Sequence, residues 1–179
     1  MNLAGVALTG GRETAETARM KQSQTKKTSG LTEGTVLVST TQRRLALTPA
    51  RRQAIERLVR FVAWKEKHPI DEIDVAIVGT ARMARYNQEY LQHKGPTDVL
   101  SFDLGSEDGR LCAQIIVCAE VAQREAKRRG HRSWDELLLY VTHGLLHAMG
   151  YEDHTMAHAQ VMHGRENELL EAFGVGKVF

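Results

Sequence analysis

One segment limits the architecture more than any other. From Ser133 to Gly150 the chain reads SWDELLLYVTHGLLHAMG. A 3.6-residue period lays its leucine, tyrosine and valine side chains around nearly the whole circumference of a helix. A surface helix keeps a polar face; this one has none, so it belongs in the middle of the molecule with other elements around it. Both ends carry stop signals. Ser133-Trp-Asp-Glu136 has the pattern of a capping box, in which the serine oxygen and the glutamate carboxylate each serve exposed backbone N–H groups. Gly150 supplies the left-handed residue that closes a helix.

The flanking sequence provides what such a helix packs against. TVLVST (Thr35–Thr40) has the β-branched content of a strand, and Thr48-Pro49 opens a helix to about Glu66 with Ile55, Leu58, Val59 and Val62 on one stripe. Ile73, Val75 and Ile77 alternate as a second strand ending at Gly79, and a helix from about Thr80 to Gln92 carries Met83, Tyr86 and Tyr90 until Gly95-Pro96 breaks it. Val99–Leu104 and Leu111–Cys118 read as a hairpin pair. Helices follow at Ala119–Arg129, at the central segment and at about Ala157–Phe173. The order predicts an α+β fold with a mixed sheet of about four strands and about five helices. Residues 35–179 form one domain, and residues 1–34, poor in large apolar side chains, form a disordered extension.

Composition removes several classes. A chain of 179 residues with 42% hydrophobic content supports one core. It has no apolar run of about 18 residues, the minimum for a membrane span. The N-terminus lacks the basic and apolar regions of a signal peptide. Cys112 and Cys118 stand on one side of one strand, too far apart to bridge, which fits a reducing cytoplasm. The net charge of +2 is nearly neutral. Its distribution is uneven, with basic clusters at Arg43-Arg44, Arg51-Arg52 and from Lys127 to Arg132 that read either as solvated faces or as a polyanion-facing stripe.

His143 and His147 lie four apart on the buried helix, so both imidazoles reach one point in space. Buried imidazoles need partners. Two core histidines bonded to backbone or carboxylate satisfy that need, and so does a metal ion, zinc being the natural choice for neutral imidazole. The run HGLLHAMGYEDH (residues 143–154) favours the metal: two helical donors, a glycine turn, then fresh donor types in Asp153 and His154. Three protein ligands leave a fourth position open, the catalytic rather than the structural pattern. A protease of the HExxH kind is excluded, because Gly144 stands where its glutamate base belongs.

With GPTDVLSFDLG (residues 95–105) and Asn87-Gln-Glu-Tyr90, that run resembles the YbeY family of rRNA maturation factors over residues 36–173. The resemblance implies a zinc-dependent, single-strand-specific endoribonuclease with one zinc ion per chain. It implies single-stranded RNA and rRNA as substrate, a role at the 16S rRNA 3′ end and in ribosome quality control, and the small ribosomal subunit or its precursors as partner. Three departures stand out. The family ends its motif GYDH where this chain has GYEDH. An ungapped register puts the third ligand on Asp153; matching by residue type puts it on His154. The ungapped register is preferred, since it also keeps Met162, Glu166 and Glu168 where the family's closing helix carries such residues. Leu91 replaces an arginine after Tyr90, leaving His93, Lys94 or the 127–132 cluster, with Arg128 and Arg129, as substitutes for substrate contact. Ala113-Gln114-Ile115 replaces an acidic GDI.

Asp98, beside the cleft by the same resemblance, is the candidate catalytic residue, orienting a ligand or accepting a proton; capping the turn after Pro96 is its alternative role. Two functions stand: the zinc-dependent endoribonuclease, and a ribosome-assembly binding factor whose zinc is mainly structural.

Overall fold

The computed structural model describes residues 7–9, 34–105 and 109–176. Its elements in chain order are β1 (Ala7–Thr9), β2 (Thr35–Thr40), α1 (Pro49–Lys65), β3 (Ile70–Val78), α2 (Thr80–Leu91), β4 (Val99–Asp103), β5 (Leu111–Cys118), α3 (Ala119–Arg129), α4 (Ser133–Ala148) and α5 (Met156–Phe173). The expected α+β architecture is present, with five helices among the described residues against a mixed sheet. The sheet order is β1-β4-β5-β3-β2. The four expected strands make up all of it except β1, which comes from the segment read as an extension and pairs parallel with β4 at the edge. Apart from Gly34, the rest of that extension lies outside the described residues.

Strands β2, β3 and β5 run parallel, whereas β4 and β5 form the expected antiparallel pair. Register ties one row across the sheet: Val38 opposite Val75, Val75 opposite Ile115, and Ile115 opposite Ser101. Alternation puts these four side chains on one face, the face on which α4 lies. There Ser101 Oγ donates to the Gly144 carbonyl at 2.7 Å, fixing helix height over the strands.

The central position read from the apolar helix holds. Every residue of α4 from Asp135 to His147 is buried, with α1, α3, α5, β4 and β5 packed around it. Leu137, Leu139, Leu145 and Leu146 are fully enclosed, each worth roughly 1.5–3 kcal/mol of apolar transfer. The N-terminus of α1 is also as expected, with Thr48 Oγ1 accepting from the Arg51 N–H.

The capping box on α4 is corrected. Arg132 takes the N-cap position and no side chain bonds the helix start. Glu136 is fully buried and turns to His131 and to the Arg129 guanidinium, 3.4 Å away. A carboxylate enclosed this completely needs hydrogen-bond and charge partners more than a backbone N–H, and the α3–α4 turn provides the His131 ring and the Arg129 guanidinium. Arg132 instead grips Asp135 with two bonds of 2.7 and 2.8 Å.

Candidate metal centre

The last turns of α4 carry His143 and His147 with ring centroids 4.5 Å apart and rings perpendicular. Gly150, at φ 92°, reverses the chain after the helix, a conformation open to glycine at no steric cost. The reversal is held by Gly150 N–H donating to the His147 carbonyl and Tyr151 N–H to that of Leu146. It returns residues 151–153 to the histidines. Asp153 places Oδ2 4.0 Å from His143 Nε2 and Oδ1 3.9 Å from His147 Nε2. The two Nε2 atoms are 3.1 Å apart. His154 is exposed and does not belong to this group.

Each imidazole is held from behind. His143 Nδ1 meets Glu166 Oε1 at 2.5 Å; a carboxylate partner puts the proton on Nδ1. His147 Nδ1 donates to the Tyr151 carbonyl at 2.9 Å, which can only accept. Both inward nitrogens are therefore free to offer lone pairs, and the Asp153 carboxylate offers another. Three electron-pair donors within 4.8 Å of one another repel unless a proton or a metal cation lies between them. For a tetrahedral ion with bonds of about 2.05 Å the donors would stand about 3.3 Å apart, close to the observed set. Two imidazoles and a carboxylate are ligand types zinc accepts. The residues fit a metal ion.

The family comparison bears on the same segment. The model of the family described as "Endoribonuclease YbeY" matches residues 37–174. This chain belongs to the YbeY family. Curated relatives named Endoribonuclease YbeY include one from Thermobifida fusca, 35% identical over 133 residues, covering 68% of this chain and 85% of that protein. Another, from Leifsonia xyli, is 36% identical over 115 residues, covering 59% and 75% respectively. A Thermotoga maritima protein solved in solution shares the fold, with a TM-score of 0.54 at 22% identity over 77% of this chain and 91% of that one.

In this YbeY-family chain the remaining expected site residues fall in three places. Asp98 is buried; its Oδ1 accepts from the Thr97 hydroxyl and from the Val99 N–H, both at 2.9 Å. Its charge is felt at His143. Lys94 is exposed on an open cleft of 450 Å³ that it lines with Asn87, Leu91, Gln92, His93, Pro96 and Thr97. Leu91, in the arginine position of the family, thus faces that cleft. Arg128 and Arg129 sit outside it at the far end of α3, paired with Glu125 at 2.8 Å and Glu136 at 3.4 Å.

Charges around the histidines set their protonation. Burial lowers the His143 pKa, but the Glu166 hydrogen bond and charge, with Asp98 and Asp153, outweigh it and leave the pKa raised. Burial and the neighbouring His143 charge push His147 down. Burial opposes ionisation of Glu166, yet bonds from His143 and His163 hold it below the usual carboxylate range. Without metal, His143 keeps a proton to a higher pH than free histidine. That proton occupies the lone pair a metal needs. Metal affinity is expected to fall about tenfold per pH unit below the His143 pKa and to level off above it, measurable by isothermal titration across pH.

The support behind the histidines was not read as such from sequence. Glu166, fully buried, stands in the sequence only as a residue of the closing helix; it accepts from His143 and, at 3.0 Å, from His163 Nδ1. Tyr151 Oη donates to Glu66 Oε2 at 2.9 Å, and Arg165 Nε clamps the other Glu66 oxygen at 2.7 Å. His163 three residues before Glu166 is a sequence signal; Glu66, 85 residues before Tyr151, leaves none. Glu166→Gln is expected to weaken metal binding roughly 10–100-fold in competition with a chromogenic chelator.

No helix among the described residues is long and apolar enough to cross a membrane.

Proposed function

We propose that this chain is a zinc-dependent endoribonuclease specific for single strands, acting in the cytoplasm on rRNA in late processing at the 16S 3′ end and in ribosome quality control. The observation that supports it most is the convergence of three lone-pair donors, His143, His147 and Asp153, with the charge of buried Asp98 acting on His143. His143, His147 and Asp153 would hold one zinc ion, which when bound would supply Lewis-acid activation of water and offset charge on phosphoryl oxygens.

The protein's own groups do the rest. Glu166 and the Tyr151 carbonyl keep both imidazole protons on Nδ1, so the donors stay aimed inward. Asp98, with Oδ1 held by Thr97 and Val99, accepts the proton of the attacking water on its other oxygen. Lys94 at the cleft neutralises a phosphate, and Arg128 and Arg129 act as more distant cationic contacts. A flexible single strand enters an open cleft that a rigid duplex does not follow.

The test strips zinc with a chelator and measures cleavage of single-stranded and duplex RNA alongside far-ultraviolet circular dichroism. Cleavage of the single strand is expected to vanish with the fold retained, and to return with zinc. If fully loaded protein cuts no RNA, the nuclease reading fails, and an assembly factor on the small ribosomal subunit takes its place.

A further inference from the structure

Helix α1 carries a surface that the metal centre does not use. Ile55, Leu58, Val59 and Val62 face the core. At 100° per residue, Gln53, Arg57, Arg60 and Trp64 fall within about 60° of one another on the opposite side. Trp64 is 70% exposed. Lys65 Nζ stands 5.1 Å from the centre of its ring and 5.6 Å from that of Phe61.

The helix is strongly cationic, with Arg51, Arg52, Arg57, Arg60 and Lys65 against Glu56 alone. Arg51 is committed, lying 5.0 Å over the Trp134 ring and bonded to the Ala46 carbonyl. Arg57 and Arg60 have no acidic partner among the described residues. Charges left unneutralised beside a largely exposed indole suit a ligand with both phosphates and flat aromatic faces. Single-stranded RNA has both. An acidic protein surface would use the arginines and leave the indole plane unexplained.

The helix also adjoins the metal centre. Glu66, the residue after α1, accepts from Tyr151 Oη, and the Tyr151 carbonyl holds His147. From Gln53 to Trp64 the outer face extends about 16 Å along the axis, enough for several nucleotides of a strand that passes the centre.

We propose that the outer face of α1 is a second RNA-binding surface, on which one base of the strand flanking the cleavage site stacks on Trp64 while Arg57 and Arg60 take its phosphates. The proposal rests on the nuclease reading above. Lys65 covers part of the indole, and the exposed face receives the base.

The experiment titrates the zinc-loaded full chain with a 2′-O-methyl oligouridylate of about a dozen residues, following tryptophan emission at several salt concentrations. Wild type is expected to lose emission on binding. Trp64→Leu should lose that quenching and bind about tenfold more weakly. The double variant Arg57→Gln/Arg60→Gln should lower the steepness of the log affinity against log salt plot by about 1.4. Bound metal should be unchanged in both. If wild type binds and both variants match its affinity and salt slope, this face is not an RNA surface and belongs to a protein partner, while the metal-centre reading stands. If wild type binds no RNA, both readings fall together.

Discussion

Gly144→Glu is expected to leave the protein largely unfolded. The substitution restores the residue that a zinc protease of the HExxH kind would place after its first histidine, and the structure has no room for it. A Cβ at Gly144 would stand 2.7 Å from Ile115 Cγ2 and 2.9 Å from Val99 Cγ2. Both atoms belong to fully buried residues of the sheet, so neither can swing into solvent. Alanine alone should cost about 1–3 kcal/mol through overpacking. Glutamate adds four more heavy atoms, three of them a carboxylate without a partner in an apolar interface, which takes the cost beyond about 4 kcal/mol. Denaturant unfolding followed by circular dichroism measures both variants. The same close approach explains the sequence: α4 needs its glycine to lie on β4 and β5, so a base for the proposed reaction has to come from another element, the role proposed above for Asp98.

Asp153→Ala is expected to weaken metal binding roughly 10²–10³-fold while His154→Ala stays within about twofold of wild type. The estimate follows from zinc-site free energies of about 10–16 kcal/mol shared among about four ligands. Asp153 stands about 4 Å from both imidazole nitrogens, and its side chain is 9% exposed. His154 points to solvent and has no part in that group. Competition with a fluorescent zinc chelator separates the two variants. A loss in His154→Ala equal to that in Asp153→Ala would mean that the loop after Gly150 rearranges around the ion.

Much of this was legible because periodicity and burial are linked. An apolar circumference put α4 at the centre of the molecule, the i,i+4 spacing put two imidazoles on one face, and Gly150 foretold the reversal behind them. The choice between Asp153 and His154 was harder, since both residue types ligate metals; the three-residue chain path from Gly150 decides which side chain turns inward. The capping box failed for a tertiary reason. Glu136 matches the local pattern, but it is buried against Arg129 and His131, and local patterns do not register what a neighbouring helix end brings. Glu66 shows the same limit: its bonds to Tyr151 and Arg165 join α1 to residues beyond α4, and no short-range pattern encodes them. Strand β1 pairs with β4 from a segment whose composition resembles a tail.

The most direct measurement is anomalous diffraction at the zinc edge from crystals of the zinc-loaded protein. One peak is expected, bonded to Nε2 of His143, Nε2 of His147 and a carboxylate oxygen of Asp153 at about 2.0–2.2 Å, with His154 outside it. A peak bonded to His154 in place of Asp153, or no peak between the two histidines, would contradict the account.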